Sequence, residues 1–221
     1  MDYHFNFDPV WREFDNLLGG LGLGLLMAVI SLLVGAVIGL ACAYGRTSQI
    51  APLRWAVAAY VEAIRNVPIL LLIFFVYFGL PEIGIRFLDK YDSFMLTLAL
   101  YAGAYLTEVF RAGLGSIPTQ YVEAGKAIGL MPLQRQRYVV LPVMFRITLP
   151  ALSSNFISLF KDTSLAAAIA VPELTFEARQ INVNTFRVIE TWTVASALYL
   201  AVCYAIALML RQVERRYASI R

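Results

Sequence analysis

The sequence predicts an all-α membrane protein: five transmembrane helices, with one short helix in a cytoplasmic loop. Three observations lead there. Hydrophobic residues make up 60% of the 221 positions and charged residues only 15%, and the mean hydropathy is +0.69, far from the globular norm. The apolar residues fall into long runs rather than a 3.6-residue stripe. The charges between those runs alternate in sign. A chain of this length holds about five spans with short loops and has no room for a sizeable soluble domain.

Residues 1–16 form an N-terminal segment in which Arg12 faces Asp2, Asp8, Glu13 and Asp15. That −3 is the wrong sign for the basic start of a signal peptide, and the apolar run that follows is too long for one. The first span, about 17–44, exceeds the roughly 20 residues a bilayer requires, so it tilts or emerges. Its Gly20/Gly24 and Gly35/Gly39 pairs have the G-x-x-x-G spacing that admits close helix contact. Arg46 and Arg54 follow with no acid between them, giving +2.

The second span, about 55–80, carries Glu62 and Arg65 three apart on one helical face, with Pro68 just beyond. Proline removes a backbone donor, so a kink is expected there. The charged pair is either a self-neutralising intrahelical ion pair or part of a pathway, because intramembrane charges face a cavity or a partner. The next loop carries −1. The third span, about 93–114, ends with Glu108 and with Arg111, which reads as a snorkelling anchor.

The loop 115–146 carries +3 from Lys126, Arg135, Arg137 and Arg146 against Glu123. The fourth span, about 147–171, contains Lys161, Asp162, Thr163 and Ser164 in succession. At 100° per residue these four cover the whole circumference of a helix, so some of them meet water, a partner chain or a local break. A loop of −1 and the fifth span, about 191–210, lead to a tail, 211–221, of +3. Residues 17–210 thus form one membrane domain. Basic loops stay cytoplasmic, which puts the N-terminus outside and the C-terminus inside.

Cys42 and Cys203 both lie in apolar runs and read as small core hydrophobes. His4 is the only histidine, at the external end. A histidine metal site or histidine base within the membrane is thereby excluded, and an intramembrane enzyme has no visible nucleophile and base.

Within the cytoplasmic loop, EAGKAIGLMPLQRQRYVVLP from Glu123 to Pro142 carries unusual local structure. Ser116 is placed to cap a helix with Pro118 in its first turn, and Gly129 ends it. Pro132 suits the start of a second helix, for which Met131 is a poor cap. Val122, Ala124, Ala127 and Ile128 give the first helix an apolar patch suited to a groove on a soluble partner or to the lipid surface.

Glu-Ala-x, three residues, Gly, nine residues, then aliphatic-x-Leu-Pro resembles the EAA motif of permease subunits in bacterial ATP-binding cassette (ABC) importers. Glu123, Ala124, Gly129, Leu141 and Pro142 match it, Val139 fills the aliphatic place, and Gly125 stands where a second alanine is usual. AYLTEVFRAGLGSIPTQYVEAGKAIGL, with RNVP at residues 65–68 and LFKDTSL at residues 159–165, is similar to the polar amino acid uptake branch. The likeness extends over nearly the whole chain from Leu17.

The resemblance implies that the matching residues couple the chain to a nucleotide-binding subunit. No G-x-x-x-x-G-K-[ST] occurs in the sequence, so ATP and Mg belong to that separate ATPase and this chain is not itself the enzyme. It also implies a second permease chain, identical or paralogous, and an extracytoplasmic solute-binding protein, with membrane lipid around the assembly and no nucleic acid.

For a zwitterionic cargo, Lys161 lies about 20 Å along its helix, near the midplane. It is the candidate for the carboxylate, with Asp162 or Glu62 for the ammonium and hydroxyls from Thr163 and Ser164. Arg65 and Glu108 are further pathway candidates. The alternative is a permanent Lys161 pair with Glu62 or Glu108 that holds helices together. An ion-coupled secondary transporter or channel subunit would also explain buried charges, but single-chain carriers generally show more spans or internal repeats, neither of which is visible here.

Overall fold

The computed structural model describes residues 3–218; Asp2 and Arg221, which contribute to the terminal charges above, lie outside the described residues. A short helix α1 (Asp8–Arg12) precedes α2 (Phe14–Arg46). Next come α3 (Ala51–Asn66) and α4 (Ile69–Glu82), then α5 (Lys90–Gly115) and α6 (Thr119–Ala127). Last are α7 (Pro132–Ile169), α8 (Leu174–Thr185) and α9 (Val188–Ala218). Among the described residues there is no strand. Helices α2, α5, α7 and α9 are each long and apolar enough to cross a membrane, and the bent pair α3 and α4 passes the same test taken together, as one broken span or a re-entrant loop.

Helix α2 has 33 residues, or about 50 Å at 1.5 Å per residue, so it emerges from a 30 Å core. It lies against α5 along a stripe of small residues. A Cβ at Gly35 would fall 2.7 Å from Ala102 Cβ and 3.0 Å from the Ala99 carbonyl, and one at Gly39 would fall 2.8 Å from Leu106 Cβ. Gly35 and Gly39 therefore make the close helix contact their spacing predicts. Gly20 and Gly24 face the far end of α7 and the turn that follows it. A Cβ at Gly20 would meet the Glu173 backbone at 2.7 Å, and one at Gly24 would meet Thr163 Oγ1 at 3.1 Å. Gly20 thus receives the turn between α7 and α8, and Gly24 the 3₁₀ end of α7.

The second span is broken rather than kinked. Helices α3 and α4 meet at 107°, because the residue before a proline is pushed out of the helical region. Val67 is extended at φ −107° and ψ 134°. Asn66 closes the broken end by donating through Nδ2 to the Glu62 carbonyl at 2.8 Å.

The fourth span starts earlier than its hydropathy indicates. Residues 132–146, expected as loop, are helical, and α7 runs on to Ile169. Pro142 follows a π-helical turn at Gln136–Val140 and Pro150 lies within the α-helical part, and neither interrupts α7. Helix α4 repeats the device, with a π turn at Phe75–Gly79 ahead of Pro81. A wider turn relieves the clash of the proline ring with the preceding carbonyls. At its other end α7 tightens into a 3₁₀ segment over Thr163–Ile169 and stops at Ala170, in the left-handed region at φ 57°. Helix α8, within a stretch expected as loop, is capped by Glu173, whose carboxylate accepts from the Phe176 and Thr175 amides at 2.8 and 2.9 Å and from Tyr199 at 2.8 Å. The fifth span continues through the basic tail as helix to Ala218.

Gly35→Ala is expected to destabilise the chain by about 1–3 kcal/mol through overpacking. Gly22→Ala, with nothing within 4 Å of the added carbon, should be neutral or slightly stabilising. Thermal unfolding of the two variants in detergent distinguishes them.

Candidate functional site

Two features bear on the site: a cavity along α5 and α7 that takes in Asp162, Arg65 and Glu108 of the predicted residues, and the α6–α7 segment at one end of it. In that segment Gly129 has φ +78°, a conformation glycine adopts without Cβ strain. Its amide donates to the Lys126 carbonyl at 2.9 Å and the Leu130 amide to the Gly125 carbonyl at 3.0 Å, the paired bonds of a Schellman stop. Ser116 does not cap α6. Its hydroxyl donates back to the Ala112 carbonyl at 2.8 Å and closes α5, while Pro118, extended at ψ 134°, occupies the cap position. Met131 starts α7 with help from Gln134, whose Oε1 accepts from the Met131 amide at 2.8 Å.

Glu123 is exposed and pairs with Lys126 at 2.8 Å; that hydrogen bond holds its carboxyl below the usual carboxylate range. Ala124 is exposed, as are Ile128 (76%), Met131 (69%) and Leu133 (81%), which form an apolar patch beside Glu123. Gly125 is buried because Arg135 lies across it: a Cβ there would sit 3.3 Å from Arg135 Cγ. A glycine in the usual alanine place thus lets the Arg135 stem cross α6. Leu141 packs with Ala43, Leu106, Phe110 and Met144. Tyr44 also donates to Gln136 Oε1 at 2.9 Å, so the end of α2 and the π turn of α7 are tied together.

The cavity has two adjoining parts. One, about 310 Å³, is lined by Tyr101 and Tyr105 of α5 and by Asn155, Ser158 and Asp162 of α7. The other, about 400 Å³, shares Tyr105 and Asn155 and adds Arg65, Glu108, Thr148 and Ser116. Together they run from Asp162 toward the α6–α7 segment. Arg65 lies over the Tyr105 ring at 5.2 Å, and Tyr101 donates to the Tyr105 hydroxyl at 3.3 Å. Glu108 is held by Arg111 at 2.6 Å and approached by Arg46 at 3.5 Å. Arg111 is therefore an ion-pair partner of Glu108.

The four polar residues of α7 separate. Asp162 lines the cavity. Lys161 is exposed outside it, and among the described residues it enters no ion pair, so the permanent pair with Glu62 or Glu108 is absent. Thr163 is fully buried, its hydroxyl donating to the Phe160 carbonyl at 2.7 Å, and Ser164 is half-buried where the helix tightens. Glu62 and Arg65 do not pair with each other. Glu62 accepts from Asn66 Nδ2 at 3.1 Å and lines a separate hollow with Arg46, Arg54 and Trp55. Sequence reasoning missed Asn155, Ser158, Tyr101 and Tyr105. The signal was available, since 155, 158 and 162 share a helical face and 101 and 105 are one turn apart.

Residues 35–219 match the family described as binding-protein-dependent transport system inner membrane component. The L-cystine transport system permease protein TcyB of Bacillus subtilis (strain 168) is 35% identical over 95% of this chain and 90% of its own length. The glutamine transport system permease protein GlnP of Escherichia coli (strain K12) is 34% identical over 96% and 97%. A solved structure of an amino acid ABC transporter superposes with a TM-score of 0.88 at 27% identity, covering 97% of this chain and all of that one. The fold, the length and the motif agree: the chain belongs to the inner membrane components of binding-protein-dependent transport systems, as a multi-pass permease subunit of an ABC importer.

Proposed function

We propose that this permease carries a polar amino acid through the cavity between Asp162 and Arg65, toward a cytoplasmic face that bears the α6–α7 segment. The N-terminus is then outside and the C-terminus inside, as the loop charges require. The continuity of the cavity carries this reading: Asp162 at one end, Arg65 with the ion-paired Glu108 at the other, and between them the hydroxyls and amide of Tyr101, Tyr105, Ser158 and Asn155. Asp162 takes the ammonium. Arg65, a cation with no carboxylate within 4.0 Å among the described residues, takes the carboxylate. Asn155 and Asp162 are about 10 Å apart along α7, so the two charges act as successive stations along the path. Lys161, one residue from Asp162 and exposed, meets the pathway from the side that a second permease chain, identical or paralogous, closes.

An ATPase subunit holding ATP and Mg docks on Glu123, Ala124 and the apolar patch around Ile128, and a solute-binding protein delivers the cargo outside. The relatives that transport cystine and glutamine support the amino acid class.

Asp162→Asn is expected to lower uptake by reconstituted complex roughly tenfold, the scale of one charge-assisted hydrogen bond, with assembly and basal ATP hydrolysis retained. Unchanged uptake by a folded Asp162→Asn complex would remove the binding role. Arg65→Gln should weaken uptake of amino acids but spare analogues lacking the carboxylate, measured as competition in the same vesicles.

Glu123→Lys replaces an exposed carboxylate with a cation on the docking helix. ATP hydrolysis should then no longer respond to loaded binding protein, while the membrane helices still insert and co-purify. Coupled hydrolysis at the wild-type rate would count against docking through α6.

A further inference from the structure

We infer that the chain holds an anionic phospholipid in a groove between α7 and α9, at the end of the bundle that carries the α6–α7 segment. The two helices pack closely where Phe160 and Phe156 meet Ile206, Val202 and Leu210. Beyond Leu210 they leave a groove of about 270 Å³ between Pro142, Phe145, Arg146 and Leu149 on α7 and Tyr217 on α9. The α7 residues follow i, i+3, i+4, i+7 spacing and form one face. That face lies roughly 150° around α7 from Asn155, Ser158 and Asp162, at 100° per residue. The groove is thus turned away from the pathway.

Its chemistry fits one occupant. Proline, phenylalanine and leucine give an apolar bed for an acyl chain. Phe145 and Tyr217 are 41% and 49% exposed, so the bed is open to the bilayer. Among the described residues Arg146 supplies the only charge in the lining, and among them it makes no ion pair or hydrogen bond. A guanidinium beside a greasy groove matches a phosphate joined to hydrocarbon. The Tyr217 ring suits the level where headgroup meets chain. The surrounding charge agrees: against Glu123 and Glu214, this end of the bundle carries Arg46, Arg54, Arg135, Arg137, Arg211 and Arg215, a net basic surface that draws anionic lipid. Pro142 forms one wall, so the bound lipid touches the helix that leads from the docking segment.

The test uses the complex co-purified with its ATPase, delipidated and then titrated with phosphatidylglycerol, phosphatidylcholine or inorganic phosphate. Native mass spectrometry counts what is retained. Wild type should retain phosphatidylglycerol in preference to phosphatidylcholine, and Arg146→Gln should lower that retention roughly tenfold, the scale of a charged contact. Arg146→Lys should restore most of it, and Arg12→Gln, at the other end of the bundle, should change nothing. Equal retention by Arg146→Gln would show ordinary annular lipid and overturn the site. Equal occupancy by inorganic phosphate would overturn the acyl-chain bed. A Phe145→Cys thiol that crosslinks to the ATPase, or to a second copy of the chain, would place protein in the groove and also overturn it.

Discussion

Inside a bilayer no water is available for a backbone carbonyl that has lost its donor, and proline takes one donor away wherever it stands. This constraint shapes the chain more than any single contact. At Pro68 the helix stops: Val67 turns extended, Asn66 satisfies the Glu62 carbonyl, and α4 leaves at 107°. Before Pro81 and Pro142 the helix instead widens into a π turn and continues. The first solution brings Arg65 to the end of α3, where its guanidinium reaches Tyr105 of α5. The second makes the segment after α6 and the fourth span one body.

Both outcomes explain what could be read from residues alone. Hydropathy located the spans, because it is a sum over many positions and survives local error. Gly129 was legible because only a left-handed residue makes that stop. A proline in isolation announces a disturbance but not its form. Whether a helix breaks or passes through depends on whether the freed carbonyls find partners, and that is decided by neighbouring turns. The continuity of α7 through Leu141 and Pro142 was hidden for that reason. So was helix α8: Glu173 counts as a loop charge in sequence, yet it is fully buried and one of its partners, Tyr199, lies 26 residues away. Glu190, also fully buried, accepts from the Asn6 amide, 184 residues away in sequence.

The run from Lys161 to Ser164 shows the same limit within the candidate site. Composition requires that these residues not share one face, and they do not. Which residue faces what depends on the partner surface. Gly24 leaves room for Thr163, and a Cβ there would lie 3.1 Å from its hydroxyl oxygen. With Thr163 fixed against α2, helix geometry turns Asp162 to Tyr101 and Tyr105 and leaves Lys161 outside. The small residues of α2 therefore do more than permit packing. They set the rotation of α7 about its own axis, and with it the identity of the charge that enters the cavity.

Helix α7 is then a single element with two constrained ends. Near its start the π turn is held by Tyr44, and Arg135 lies across α6. Near its finish Lys90 donates to the Ala170 carbonyl at 2.7 Å, where the helix stops. Between Pro132 and Asp162 it rises about 45 Å, the distance from the exposed patch beside Glu123 to the acidic end of the cavity. A helix interrupted at Pro142 would absorb a push at its start as local bending. The helix instead continues through that proline and through Pro150, and the π turn marks where it can flex. The Leu-Pro that closes the motif is thus placed where rigidity and compliance are set together.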